Sequence, residues 1–270
     1  MQASIIISTY NSPLWLEKVL LGFSIQTIND FEIIIADDGS TDETKLMLKK
    51  ISSETTLLIT HVWHKDDGFQ KTKILNKAIL ATKSDYCIFT DGDCIPRNDF
   101  VETHLKFRRK NSFLSGGYFK LPLSISNRIK KQDIMGQHCF ELKWLTERGL
   151  KTSLKNLKLA SSSFLPMLLN SLTTTKQSWN GHNASTWKSK ILEINGFNND
   201  MKYGGEDREF GERLVNLGVK PIQIRYYAIC VHLEHSKGYI NQKAIEKNNE
   251  IRRLTKKNKV IKTQKGLSTL

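Results

Sequence analysis

Asp91 and Asp93 are separated only by Gly92 in FTDGDCIP, directly after the apolar run Tyr86-Cys87-Ile88-Phe89. Carboxylates this close repel, and each raises the other's pKa unless a cation or a hydrogen-bond donor offsets the repulsion. Mg2+ and Mn2+ take hard oxygen ligands, often one or two protein carboxylates together with substrate phosphates. On a tight turn, one member of the pair can hold such an ion while the other reaches a ribose or a metal-bound water. The alternative is a strand that ends in a polar turn. Glu206 and Asp207 form a second acidic pair, after Gly204-Gly205 and before the apolar Phe210 and Leu214. They are either first-turn acids favoured by a helix dipole or a general base placed opposite the metal on a separate element. His232 and His235, either side of Glu234 in VHLEHS, end a strand-like run, and imidazole suits Mn2+ and other transition metals.

The segments around these residues alternate between two periodicities. Ser4–Tyr10, Glu32–Asp38, Leu57–Trp63 and Tyr86–Thr90 read as strands. Leu14–Gln26, Asp42–Ile51 and Gln70–Thr82 place apolar residues at helical spacing. Continuous β-branched runs between amphipathic helices predict a parallel sheet covered on both faces. In such sheets ligands bind beyond the carboxyl ends of the strands. Those ends carry Thr9-Tyr10-Asn11, Asp37-Asp38-Gly39-Ser40 and Asp91-Gly92-Asp93. The stretch DDGSTD also works as a turn and helix N-cap. From about Lys120 the alternation stops, and basic amphipathic stretches containing Pro166 follow. IQIRYYAICVHLEH then reads as a strand, and the last thirty residues carry no sheet pattern.

At 270 residues, with 39% hydrophobic and 25% charged side chains, the chain can bury a sizeable core. No apolar run approaches the roughly 18 residues of a transmembrane helix, and no signal-peptide pattern precedes the first strand. Cys87, Cys94, Cys139 and Cys230 are scattered without zinc-finger spacing, as expected of reduced thiols in a cytoplasmic protein. The formal net charge of +14 suits phosphate-bearing substrates, an anionic membrane surface or nucleic acid. No zinc finger, RNP motif or aromatic-basic interleaving supports the last, so no nucleic acid is expected. A nucleotidyltransferase would also join such a sheet to metal carboxylates, but TYNSPLWLE does not resemble a phosphate-binding loop.

SIIISTYNSPLWLEKVLLGFSIQTINDFEIIIADDGSTDET and SDYCIFTDGDCIP resemble the N-terminal half of family 2 glycosyltransferases. GFNNDMKYGGEDREFGERLVNLG resembles the galactosyltransferase-type C-terminal segment of β-1,4-galactosyltransferases and bacterial chondroitin polymerase. The resemblance implies a Rossmann-like, doubly wound mixed α/β sheet of the nucleotide-diphospho-sugar transferase (GT-A) type. It implies an inverting transfer of a hexose or hexosamine from a UDP-sugar to a glycan or lipid-linked acceptor, with Mn2+ or Mg2+ as cofactor. Thr9, Tyr10 and Asn11 would line the nucleotide pocket with Asp38, which accepts from the uracil N–H. Asp91 and Gly92 would border the ribose, and Lys71 or Lys73 would reach the diphosphate. Asp93 and His235 would bind the metal, with His232 a second, weaker imidazole ligand. Asp207 would be the catalytic base, and Trp179, Gly181, Asn183 and Glu206 would border the acceptor. The expected organisation is a nucleotide-sugar half (1–119), a helical basic insert facing membrane or acceptor (120–178), an acceptor and catalytic half (179–240) and a basic tail (241–270). The expected location is the cytoplasm, peripheral to the inner face of the cell membrane.

Overall fold

The isoleucine-rich runs become strands buried on both faces. The computed structural model describes residues 1–159, 165–235 and 241–270. Its strands are β1 (Ala3–Thr9), β2 (Phe31–Asp37), β3 (Ile59–Trp63), β4 (Tyr86–Asp91), β5 (Cys94–Pro96), β6 (Ser112–Ser115), β7 (Phe119–Lys120), β8 (Ala184–Trp187), β9 (Lys220–Gln223) and β10 (Cys230–His232). The large sheet runs β3-β2-β1-β4-β8-β6-β9, and a small one runs β5-β10-β7. β3, β2, β1 and β4 are parallel, whereas β8 lies antiparallel between β4 and β6. The sheet is therefore mixed, the N-terminal part all parallel and the C-terminal part not.

Side-chain alternation divides the interior in two. Ile5, Ile7, Ile33 and Ile35 point into one core with the Pro13–Phe23 helix. Ile6, Ile34 and Ala36 point into the other, against the Lys71–Ala81 helix and an aromatic cluster of Phe89, Phe113, Trp179, Phe197 and Phe210. Each isoleucine buried this way contributes roughly 1.5–3 kcal/mol.

Three C-terminal expectations change. The single strand read over IQIRYYAICVHLEH is two, β9 and β10, because a turn at Ile224–Ala228 carries the chain from the large sheet to the small one. The basic insert is only partly peripheral: Leu121, Ile125, Ile129, Ile134, Phe140, Trp144 and Leu145 belong to the main core. Residues 160–164 of that insert, and 236–240 at the end of the expected acceptor and catalytic half, lie outside the described residues. The basic tail is largely the Gln242–Lys257 helix, docked on the Glu206–Asn216 helix. Docking rests on Arg252 and Lys256 against Glu212 at 2.6 and 3.1 Å, and on Asn248, whose amide donates to the carbonyls of Lys202 and Gly204 at 2.8 and 3.0 Å. Beneath it Glu209 and Arg213 pair at 2.8 Å, both buried. The Arg213 guanidinium also donates to the Ile194 and Gly196 carbonyls, so the buried charge is hydrogen-bonded on every side that matters to it.

Candidate active site

Strand register sets the geometry of the cleft. β1 and β2 end level, with Thr9 beside Asp37, and Ser8 lies beside Asp91 of β4. The loops leaving these ends therefore share one rim. There the Ser8 hydroxyl donates to Asp91 Oδ1 at 2.6 Å. Asn11 joins the first two loops: its N–H donates to Ser40 Oγ at 2.8 Å and its Oδ1 accepts from Thr41 N–H at 2.9 Å. A two-residue turn, Gly92-Asp93, leads from the end of β4 into β5. β10 pairs with β5 so that His232 stands opposite Cys94, which brings the histidine beside Asp93. β8 starts where β4 ends, with Ala184 opposite Phe89, so residues 181–183 reach the same rim.

The result is a cleft of about 700 Å3. It is lined by Thr9, Tyr10, Asn11, Asp38, Asp91, Gly92, Asp93, Glu206, Asp207, His232 and His235 among others. These residues come from positions almost the length of the chain apart. Lys71, not Lys73, faces this space, since residues two apart on a helix diverge. The Lys71 ammonium donates to Asp91 Oδ1 at 2.9 Å. Burial alone would discharge Lys71, but Asp91, Asp207 and Glu206 outweigh it and hold the ammonium above the usual lysine range. Burial likewise opposes the charge of Asp91, yet Lys71 and the Ser8 hydroxyl keep its carboxyl well below the usual carboxylate range. A cation already balances one member of the aspartate pair.

Asp93 faces the other way. Its Oδ2 lies 2.9 Å from His235 Nε2 and 3.4 Å from His232 Nε2. A carboxylate oxygen and two ring nitrogens converge, and His232 Nδ1 is buried without a hydrogen-bond partner. This donor set fits a divalent ion of the Mn2+ type. Across the cleft, Asp207 Oδ1 is shielded from solvent and also lacks a partner. Burial, together with repulsion from Glu206 and Asp91, pushes the Asp207 carboxyl up to about 7 against the pull of Lys71 and the Gly181 N–H. Gly181 must be small: a Cβ there would lie 2.6 Å from Asp207 Oδ2. Glu206 faces the cleft too, while its Oε2 accepts from the Gly204 N–H at 2.8 Å.

Two expected acceptor residues are internal. Trp179 is fully buried, its ring 4.7 Å from that of Phe210 and 5.3 Å from that of Phe89. Asn183 is fully buried as well, its amide donating to the Gly117 and Ala228 carbonyls at 2.8 and 3.0 Å and its Oδ1 facing His104 Nε2 at 3.0 Å. They hold the rim rather than form it, because both follow the buried side of the β8 approach.

The sequence reading also missed partners. His64 Nε2 lies 2.8 Å from Asp38 Oδ1, and the Gln70 N–H donates to Asp38 Oδ2 at 3.0 Å. Burial nevertheless raises the Asp38 carboxyl above its ordinary value. Phe69 and Tyr203 meet edge to face at 5.8 Å and line the cleft. His182, kept neutral by burial that lowers it to about 4, packs its ring 4.5 Å from that of Tyr118. The signal for His64 was present: it directly follows a strand end, where the other site residues also lie.

Residues 4–170 match the model of glycosyl transferase family 2, and residues 174–236 match that described as the N-terminal domain of galactosyltransferase. The chain is similar to the chondroitin synthase of Escherichia coli, 26% identical over 240 residues, 80% of this chain and 32% of that protein. It therefore spans about a third of that relative's length. Its fold is similar to that of S. aureus TarS 1-349 in complex with UDP-GlcNAc, with a TM-score of 0.64, 15% identity, and coverage of 99% of this chain and 69% of that one. It is also similar to the mannosyltransferase PcManGT of Pyrobaculum calidifontis, solved with GDP-Man and Mn2+, with a TM-score of 0.59, 18% identity, and coverage of 88% and 58%.

Proposed function

Because the chain belongs to glycosyl transferase family 2, we propose that it moves a hexose or hexosamine from a UDP-sugar to a hydroxyl of a growing surface glycan, with inversion. One observation carries this reading. A single cleft holds a metal-type donor set at Asp93, His232 and His235, a cation at Lys71, and, on a different element, a carboxyl raised to about 7 at Asp207. In this arrangement Thr9, Tyr10, Asn11 and Asp38 receive the nucleotide. Asp91, held by Lys71 and Ser8, presents its remaining oxygen to the ribose. Asp93 and His235, with His232, would hold Mn2+ or Mg2+, which when bound stabilises the charge that grows on the departing diphosphate. Asp207 takes the proton of the acceptor hydroxyl from the opposite side, and Glu206 binds a neighbouring acceptor hydroxyl. The TarS and PcManGT complexes with nucleotide sugars support the donor class at the level of fold.

The test is a screen of UDP- and GDP-sugars for divalent-metal-dependent release of nucleoside diphosphate. UDP release from one UDP-sugar is expected, stimulated by the correct acceptor. Release from GDP-sugars alone would remove the donor assignment, and formation of pyrophosphate would favour a nucleotidyltransferase.

A second observation bears on location. Among the described residues no helix is long and apolar enough to cross a membrane. Yet the Leu165–Leu172 helix buries none of its residues, Leu154 is 87% exposed, and Met167 and Leu172 are exposed too. Lys151 and Lys155 are exposed beside Leu154 in the chain. We infer that these two segments rest on an anionic membrane, each lysine contributing on the order of 1 kcal/mol and the leucines inserting shallowly. The protein should co-sediment with phosphatidylserine vesicles at low salt and be released at high salt. Equally weak sedimentation with neutral and anionic vesicles would reject this.

A further inference from the structure

The rim that bears the cleft extends past it. β8 is antiparallel to both β4 and β6, so β6 and its parallel neighbour β9 run the same way as β4. Ser115 ends β6 opposite Gln223 at the end of β9, and Gly117 and Arg225 each follow two residues later. The Arg225 stem lies on Gly117, where a Cβ would come within 2.8 Å of Arg225 Cγ. The Lys158 ammonium donates to the carbonyl of the next residue, Tyr118, at 3.0 Å and lies 5.9 Å from its ring. That ring also packs 4.5 Å from His182 and 5.2 Å from His232, which lines the cleft. Among the described residues neither Lys158 nor Arg225 pairs with a carboxylate, and Glu234, which follows β10, is held by Lys120. Burial, and next the Arg225 guanidinium, push the Lys158 ammonium down to about 8. Half-buried cations that repel each other are stabilised by an anion between them. Beside Arg225, the Tyr226 N–H donates to Asn170 Oδ1 at 3.2 Å, which joins this turn to the Leu165–Leu172 helix.

Resting on the transferase reading of the cleft, we propose that Lys158 and Arg225 hold an oxyanion carried by the acceptor, a phosphate ester or a uronate carboxylate, next to the sugar being extended. A guanidinium takes either group through paired N–H donors. Lys158 has ammonium hydrogens to spare beyond the one given to Tyr118. The donor diphosphate has its own cation, the proposed metal at Asp93. The anion site would fix the acceptor at a second point, away from the hydroxyl that reacts. A neutral glycan would leave both cations unpaired, and a site that loses such contacts rejects the analogue that lacks them. The basic insert thus gains a role in acceptor choice through Lys158, and the stretch after β9 through Arg225.

The experiment is calorimetric titration of the full chain with octyl phosphate, octyl glucuronide and octyl glucoside, in EDTA so that no metal holds the probe. An anionic probe is expected to bind about tenfold or more tightly than octyl glucoside. It should lose that advantage in Arg225→Gln and in Lys158→Gln, and weaken as salt rises. Preference for octyl phosphate names a phosphate-bearing acceptor, and preference for octyl glucuronide a uronate-bearing one. Equal affinity of the wild-type chain for all three probes overturns the assignment without any variant. So does an anionic probe that both variants bind as the wild type does, or one that UDP displaces, which places it in the donor cleft. If both variants lose sedimentation with phosphatidylserine vesicles yet bind the probes normally, the pair is a membrane contact and the proposal falls. Release of UDP from UDP-sugars by the wild type in Mn2+, with water as acceptor, separates the two levels. Release without anion binding removes the acceptor anion and leaves the transferase reading. Anion binding with no release from any nucleotide sugar removes the transferase reading, and the acceptor role with it.

Discussion

Asp207→Asn is expected to lower sugar transfer by about 10²–10⁴-fold while UDP affinity in Mn2+ stays near wild type. The substitution keeps the size of the side chain that abuts Gly181 and removes its basicity. An acceptor hydroxyl is a poor nucleophile at neutral pH, and a partnerless, shielded oxygen at Asp207 is where its proton can go. The raised carboxyl gives the sign of the pH dependence. Asp207 accepts a proton only when ionised, and burial pushes it up to about 7, so transfer should rise as pH increases through about 7. That limb should vanish from the residual activity of Asp207→Asn. Stability runs the opposite way. The folded state binds this proton more tightly than the unfolded chain, so the contribution of Asp207 is fully present below the ordinary aspartate range and is lost as pH rises through about 7. Glu206→Gln should act mainly on the acceptor KM. Transfer at the normal rate by Asp207→Asn would place the base elsewhere.

Asp93→Ala is expected to cost several kcal/mol of transition-state stabilisation, on the order of 10²–10³-fold in turnover. EDTA should act likewise on the wild type, with Mn2+ or Mg2+ restoring activity. The variant removes the one carboxylate on which both His232 and His235 converge. Lys71 cannot substitute, because its ammonium is committed to Asp91. Steady-state nucleotide release with and without chelator is the measurement. Full activity in EDTA, or an Asp93→Ala enzyme indifferent to metal, would end the metal hypothesis.

The parallel half of the sheet was legible because its signals are local. Ile33-Ile34-Ile35 is buried on both faces and reads as such, and strand ends carry the polar residues that a cleft requires. Asp91, Asp93 and Asp207 could be found the same way, each beside a glycine turn or a helix start. Trp179 and Asn183 could not be placed, since WNGHNAS looks like a polar loop. The groups that bury Asn183 lie 45 to 79 positions away. The choice between Lys71 and Lys73 depended on helix phase, which a short window leaves open. The last thirty residues read only as a basic tail because the pairing of Arg252 and Lys256 with Glu212 neutralises a charge run only after folding.

The Gln242–Lys257 helix stands on the two glycines that precede the Glu206–Asn216 helix, which carries Asp207, the proposed base. Gly204 and Gly205 have φ of 108° and 91°, and a Cβ on them would meet Ile245 at 3.0 Å and Arg252 at 2.9 Å. Asn248 fastens the carbonyls of Lys202 and of Gly204 itself. Asp38, Asp91 and Asp93 instead sit at or just beyond the ends of the paired strands β2 and β4. The two halves of the chemistry therefore answer to different local stabilities. If Asp207 is the base, a fluctuation that lifts the last helix would displace it while leaving the ends of β1, β2 and β4 in place. Such a molecule would still fill its donor site and would count as ligand-bound in any equilibrium assay, yet be silent in turnover. The apparent kcat would then be an intrinsic rate multiplied by the fraction of molecules latched.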